Sequence, residues 1–489
     1  VLERLVFGQI EREGGIGMIT LLSMGFVLLA LLIIALMIKD AIQGKTYLIC
    51  VRNVFLVGFI VFQITSPLYP LSTGINGQFD LVEPVLSGTE ILVSGAIFFG
   101  MFYIFYPRLP LMKKVVKALP VTKFNPGPSL CITISIALTV IAVGLHFGVN
   151  VPLLGVLARF LAISFSAIAC GLVAWVWAPR LFNPAYALLT LCVLAVNGLN
   201  VITGSFGRRE LVAVLGCFLW GMFYSWWRQF DPRRAIITMA IIGLLPTVLL
   251  ALYTSARKSS EHDRTAVQHI QAMVTEGSVS EGMMLLLSGQ NAGGVSMWCM
   301  ENFPENFKPR PLFTMRYVFM YPVPRVLWPE KPPTLSKQLP YHANMQKVHK
   351  DRLTIGPGVL GHAAAEGGWY ALIIYALILA YVCRFFDEML LKSINNPLVV
   401  LPVGSALGQV LGVPRGETGA FLFILVFSVI GSYVSLVIVS KFLHKCGFGQ
   451  QDFESDWDHD YDSNWPSNTD VYGDYDSVAD SEYSKDYSG

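Results

Sequence analysis

The sequence predicts an all-α integral membrane protein with about eleven transmembrane helices, one large extracytoplasmic loop and a disordered acidic C-terminal tail. Three observations predict it. Hydrophobic residues make up 54% of the 489 and charged residues only 14%, outside the balance of a soluble domain. Apolar runs of about 20 residues recur, long enough to cross a hydrocarbon core of about 30 Å as helices whose backbone groups are satisfied internally. The runs do not alternate apolar with polar residues, as the strands of a membrane barrel would.

An N-terminal membrane unit, 1–253, holds eight spans, read at 17–38, 47–65, 91–106, 130–149, 155–177, 185–203, 211–227 and 235–253. The first, Met18 to Ile38, is too long for a signal-peptide core and lacks a small-x-small cleavage site. A C-terminal unit, 369–440, adds spans at 369–384, 398–413 and 419–439. Short loops alternate in charge along this order. Lys39 and Lys45 are followed by Asp80 and Glu83, then by Arg108, Lys113, Lys114, Lys117 and Lys123. By the positive-inside rule the basic loops face the cytoplasm, as do Arg180, the group Arg228, Arg233 and Arg234, and the closing Lys441 and Lys445. This puts the N-terminus outside and the C-terminus in the cytoplasm.

That orientation sends 254–368 to the outer face of the membrane. A connection this long is uncommon unless it serves a function. Thr265 to Val274 and Glu281 to Leu287 read as short helices within it. The tail, 447–489, is acidic and reads as disordered. Asp456, Asp458, Asp460 and Asp462 imitate a calcium loop, but Tyr461 stands where an EF-hand needs glycine and Ser467 where it needs glutamate. The cysteines have neither disulfide nor zinc spacing, and no metal or other cofactor is expected. HExxH, G-x-S-x-G and Walker patterns are absent.

Charged residues near the outer face carry the functional reading. Arginine at the cytoplasmic end of a span, as with Arg108, Arg180 and Arg384, simply snorkels. Arg208 and Arg209 in an outer turn, Arg257 after the eighth span and Arg415 between the last two run against the positive-inside preference and ask for a compensating anion. One solution is pairing with Glu210 and Glu417. Another is a lipid diphosphate, whose charge lies at the headgroup plane and suits the bidentate guanidinium. Arg52 and Arg159, inside spans, either face a polar bundle interior or grip a carrier lipid. Tyr321 to Pro333 places Arg325, Glu330 and Lys331 among five prolines, which restrict the backbone, and Trp328 suits a membrane interface. His362 and Glu366 lie four apart, on one helical face at the outer mouth of the ninth span. Either accepts a hydroxyl proton, the glutamate once burial raises its pKa, and capping is the structural alternative.

These pieces resemble the O-antigen polymerase family. Gly207-Arg-Arg-Glu-Leu211 is similar to its Gly-x-Arg turn, and Pro322-Val-Pro-Arg-Val-Leu-Trp-Pro-Glu-Lys-Pro332 to its Pro-Arg-x-x-Trp-Pro-x-Lys-Pro signature. Gly361 to Gly368 resembles its Gly-Glu-x-x-x-x-Gly approach to a helix, with alanines and His362 intervening here, and Arg415-Gly416 its late Arg-Gly turn. The likeness covers about 199–439. It implies a GT-C-like, metal-independent glycosyltransferase that polymerises oligosaccharide repeat units on undecaprenyl diphosphate, for O-antigen or exopolysaccharide, at the outer, periplasmic face of the bacterial inner membrane. On that reading Arg208, Arg209, Arg257, Arg325, Lys331 and Arg415 hold the diphosphate, with Arg415 also catalytic, and Glu366 or His362 is the base. Its partners are the lipid-linked oligosaccharide, membrane lipid and a chain-length regulator, with no nucleic acid. An O-antigen ligase of the same superfamily, a lipid-linked oligosaccharide flippase or transporter, and a structural subunit docking through its tail are the other readings.

Overall fold

The computed structural model describes residues 2–74, 79–107, 110–119, 125–148, 154–205, 208–230, 232–256, 266–287, 292–343 and 354–445. Arg257 and the acidic tail lie outside them, and Arg208 is described in its backbone only. Among the described residues there is no strand. The helices are α1 (Leu2–Ile42), α2 (Val51–Phe59, continued by a π-helical turn Ile60–Thr65), α3 (Leu68–Thr73), α4 (Pro84–Phe105), α5 (Pro110–Ala118), α6 (Pro128–Gly148), α7 (Leu154–Trp177), α8 (Pro184–Ser205), α9 (Arg208–Ser225) and α10 (Pro232–Ala256). The loop segment carries α11 (Ala266–Thr275), α12 (Val279–Leu287), α13 (Ala292–Asn302), α14 (Phe313–Met320), α15 (Leu335–His342) and α16 (Gly358–Glu366). The chain then returns through α17 (Trp369–Lys392), the broken pair α18 (Pro397–Ser405) and α19 (Leu407–Gly412), and α20 (Thr418–Lys445).

Among the described residues eight helices are long and apolar enough to cross a membrane, so the chain is a helical membrane protein. The other three expected spans are helical but differ from expectation. The window of α9 begins Arg-Arg-Glu, and of α10 only Thr247–Ala256 stands among the shorter apolar helices. Pro397–Gly412 is interrupted at Ala406, and its residues are buried against other helices. Sixteen residues at about 1.5 Å each cover roughly 24 Å, short of the hydrocarbon core. Apolar sequence marks burial from water and cannot by itself tell lipid from protein.

Helix α7 lies at the centre, packed against α6, α8, α9, α18 and α20. Its crossing with α9 is close because both helices present glycine there. A Cβ on Gly221 would stand 2.4 Å from the Gly171 carbonyl oxygen, a small-residue contact of the kind that lets membrane helices approach. A second buried layer joins α2 and α4 through Phe55, Phe59, Phe98 and Phe102, with ring centroids 4.9–6.5 Å apart.

At the bundle end away from the loop helices, polar residues staple the elements together. Asp387 of α17 accepts hydrogen bonds from the Val51 and Arg52 N–H groups at 2.7 and 3.1 Å, and from the Tyr106 hydroxyl at 2.7 Å. It thereby caps the orphan donors of α2 from a distant helix. Arg52 pairs with Asp40 at 2.8 Å, both side chains nearly inaccessible, which answers its presence in a span with an internal partner.

Candidate functional site

The loop segment meets the membrane helices around α16. This helix begins at Gly358 (φ +67°) and ends at Gly367 and Gly368 (φ +153° and +62°), so the chain turns straight into α17. A Cβ at Gly367 would strike the Tyr370 ring. His362 and Glu366 share one face of α16, as their spacing requires, and both are buried.

Glu366 gathers donors from three elements. Its Oε2 accepts the Thr314 N–H of α14 at 2.9 Å and the Tyr375 hydroxyl of α17. Its Oε1 accepts the Thr314 hydroxyl and lies 3.2 Å from His362 Nδ1, while Thr314 Oγ1 is 2.8 Å from the same Nδ1. The Thr314 N–H is an orphan donor of the first turn of α14, which favours a carboxylate there.

Glu417 does the same for α15. Its Oε2 accepts the Ser336 N–H at 2.9 Å, and its buried Oε1, without a hydrogen-bond partner among the described residues, lies 3.8 Å from His362 Nε2. His362 therefore stands between two carboxylates, each capping a different loop helix. Burial by itself lowers the His362 pKa, but Glu417, Glu366 and the Gly416 carbonyl outweigh it and hold the imidazole above the ordinary histidine value. The Thr418 N–H also points at Nε2, at 3.4 Å. Only the neutral ring accepts that bond, whereas the protonated ring donates towards Glu417 instead.

A further knot fixes the turn that carries Arg415. Gln63, in the π-helical turn, donates from Nε2 to the Pro414 carbonyl at 2.8 Å, and its Oε1 accepts from Ser296 Oγ at 3.2 Å. The Val359 N–H donates to the same Pro414 carbonyl at 3.1 Å. π-Helical turns inside α-helices recur at functional positions, and this one ties α2, α13, α16 and the turn before α20 together.

Beside Glu366 opens a cleft of about 770 Å³. Lys308, Arg310, Arg316 and His342 contribute its charged and titratable side chains with Glu366, and Phe303, Phe307 and Phe313 its aromatic surface. Lys308, Arg310 and Arg316 are exposed. The His342 ring lies 4.1 Å from that of Phe307, and burial, aided by Arg310, holds its pKa below the ordinary value. Among the described residues no group of three or more His, Cys, Asp or Glu is placed to hold a metal.

The sequence-predicted cations fall in two places. The Arg209 guanidinium lies 4.6 Å from the Phe421 ring centroid and 3.7 Å from Glu210. The same Phe421 ring packs on Gly412 and Gly416, where an added Cβ would fall within 2.4 Å, so Arg209 and the Arg415 turn share one aromatic neighbour. Arg415 itself is 5.6 Å from the Phe62 ring centroid. Glu417, expected as a partner of Arg415, turns to His362 and Ser336.

Arg325 and Lys331 sit on the proline turn after α14. Arg325 is exposed. Lys331 is buried, donating to the Tyr321 and Val323 carbonyls at 2.9 and 3.0 Å and lying over the Tyr317 and Tyr321 rings. Burial, then Arg325 and Lys337, hold its pKa below the ordinary lysine value. Burial also raises the Tyr321 hydroxyl against the pull of Arg209, and burial with Glu417 raises Tyr317 against Arg325. Arg209 and Arg325 thus act on successive tyrosines of one short helix.

Thr314, Tyr375, Gln63, Ser296 and the cleft cations join these surroundings through the fold and were not among the expected site residues. Only the cations had a local signal, in Lys308-Pro-Arg310-Pro. Compared with known family models, curated proteins and solved structures, the chain matches none of them.

Proposed function

We propose that this chain is a glycosyltransferase that joins oligosaccharide repeat units carried on a polyprenyl diphosphate, at the outer face of the bacterial inner membrane. The observation that carries the reading is Glu366, a carboxylate at the boundary of loop and membrane helices, lining a cleft of about 770 Å³ with Arg310, Arg316 and three phenylalanines. Aromatic faces suit sugar rings, and exposed guanidinium groups suit diphosphate. The resemblance to O-antigen polymerases rests on the motifs around Arg208, Arg325, Glu366 and Arg415, and supports the same chemistry.

In this reaction a hydroxyl oxygen of the acceptor glycan attacks the anomeric carbon of the donor sugar. The new C–O bond forms as the bond to diphosphate breaks, and the leaving diphosphate keeps the electron pair. Arg415 and Arg209 stabilise its charge, each well-placed donor contributing about 3 kcal/mol in the transition state. Glu366 takes the hydroxyl proton. Its lone pairs are engaged by Thr314, Tyr375 and His362 in the free protein, so one of these bonds opens as the acceptor arrives. His362, enclosed behind it, is a positioning residue that acts through Glu366 and Thr314.

The test is reconstitution. Purified protein in lipid nanodiscs, given undecaprenyl-diphosphate-linked repeat units, should release undecaprenyl diphosphate and yield glycans of increasing length. Lipid A core offered as a second acceptor separates polymerisation from ligation. Intact lipid-linked substrate after prolonged incubation would remove the proposal.

A further inference from the structure

Helix α14 runs along the start of α20 and then ends in the proline turn. At its first residues the contact is backbone to backbone, since a Cβ on Gly419 would stand 2.4 Å from the Thr314 carbonyl oxygen. At its far end the Tyr321 ring lies 5.4 Å from that of Phe423. Thr314 is therefore level with Gly419 and Tyr321 with Phe423. The helix descends α20 in the direction of the membrane.

The depth reached follows from the length of the span. Thr418–Leu443 has 26 residues, or about 39 Å at about 1.5 Å per residue. Centred on a core of about 30 Å, it overhangs by roughly 4–5 Å at each end. Phe423 stands five residues beyond Thr418, about 7.5 Å down the axis. That level is just inside the edge of the hydrocarbon.

The side chains at the bottom of the descent fit that level. Phe319 is 82% exposed, Val326 79% and Leu327 68%, large apolar side chains that none of the described residues of the loop covers. Arg316 and Phe319 share a face of α14 three residues apart, with the cation above and the ring below. Farther down α20 the surface continues with exposed Ile430, Val434 and Ile438. The backbone of the turn is also adapted to the margin of a dry setting. Pro322, Pro324 and Pro329 have no N–H to satisfy, and the N–H groups of Tyr321, Val323, Leu327, Trp328 and Lys331 all reach carbonyls nearby. The Lys331 ammonium is spent on the Tyr321 and Val323 carbonyls. Within 319–327 only the N–H groups of Arg325 and Val326 lack a carbonyl among the described residues, so the backbone of the turn stays at the headgroup level, where such groups are solvated, and the apolar side chains reach below it.

From these relationships we infer that the turn 319–327 is a membrane-inserted wedge, with Phe319, Val326 and Leu327 entering the acyl-chain edge of the lipid monolayer and Arg325 reaching back to the phosphates. The occupant of this apolar edge is lipid, because the edge is continuous with the lipid-facing side of α20 and lies at its interfacial depth. Arg325 complements the anionic headgroups there.

Nitroxide labels read this directly on the whole protein in nanodiscs containing phosphatidylglycerol. Val326→Cys and Leu327→Cys are introduced separately, with Cys192, which is exposed, and Cys446 replaced by serine. Both label sites are exposed, so neither substitution removes core packing. Val434→Cys on α20 serves as the lipid reference and Lys308→Cys at the cleft as the water reference. The ratio of oxygen accessibility to nickel-chelate accessibility at 326 and 327 should lie within twofold of the value at 434 and at least fivefold above that at 308. A ratio equal to that at 308 would overturn the inference. So would labels immobilised and shielded from both reagents, which would mean that protein covers the turn.

Discussion

His362 Nδ1 lies 3.2 Å from Glu366 Oε1 with neither side chain exposed, while the other ring nitrogen faces Glu417 at 3.8 Å. One imidazole thus joins the two carboxylates that cap α14 and α15, and through them fastens the loop helices to the membrane bundle.

The fastening should depend on pH with a definite sign. The folded His362 pKa is raised above the unfolded value near 6.5. The stability it contributes is therefore complete below about 6.5 and is lost as pH rises through the folded pKa. Thermal unfolding in detergent should show the melting temperature falling as pH rises from about 6.5, and His362→Gln should flatten that dependence. Removing the partner of two buried carboxylates costs about 3 kcal/mol. A His362→Gln protein with the wild-type melting temperature and pH slope would leave the fastening without support.

Tyr375→Phe removes one hydroxyl from Glu366 and leaves the ring in place. Hydrogen bonds to a charged group contribute about 2 kcal/mol, so denaturant unfolding should show a loss of that order. Thr314→Val removes the other hydroxyl but keeps the Thr314 N–H bond. Because both bonds end on the same carboxylate, the double variant should depart from additivity by about 0.5 kcal/mol or more.

Lys331 and Arg415 should separate stability from chemistry. Lys331→Ala leaves the Tyr321 and Val323 carbonyls without their ammonium, and proteolysis of the 321–333 turn should become faster. Arg415→Ala should lower glycan transfer by about 100-fold if its guanidinium meets the leaving diphosphate. Reduced turnover with an unchanged melting temperature is the outcome expected for Arg415 and not for Lys331.

Charge reversal in the cleft addresses substrate contact. Arg310→Glu with Arg316→Glu exchanges two exposed cations for anions. Affinity for a lipid-linked diphosphate oligosaccharide should fall at least tenfold, and the salt dependence of the remaining binding should shrink. Exposed substitutions of this kind leave stability within about 0.5 kcal/mol, so circular dichroism melting is the control.

Eight of the eleven expected spans were legible as long apolar helices, because crossing a membrane imposes length and apolarity on consecutive residues. Two of the loop helices were legible for a similar local reason, with α11 and α12 within a few residues of expectation. The span expected at 398–413 is instead a shorter apolar helix, Pro397–Gly412, broken at Ala406 and buried against its neighbours, and a helix buried in protein is as apolar as one facing lipid. The His362–Glu366 pair follows from spacing alone. Its surroundings do not, because Thr314 lies 48 residues from His362 and Gln63 lies 351 from Pro414. Such pairs are made by tertiary folding and leave no periodic trace. Proximity along the chain offers Glu417 as one partner for Arg415, but the turn before α20 points it inward, to His362 and Ser336.

The most direct measurement is the rate of glycan growth by wild type and Glu366→Gln side by side, on one preparation of lipid-linked repeat units, with lipid binding measured in parallel. Glutamine keeps the shape and the acceptor oxygen but cannot take a proton. A general base contributes about 10²–10⁴-fold. A ladder from the wild type, a rate lower by at least 100-fold from Glu366→Gln, and lipid binding within threefold are therefore expected. Equal ladders from both proteins, or none from the wild type, would contradict the proposed mechanism.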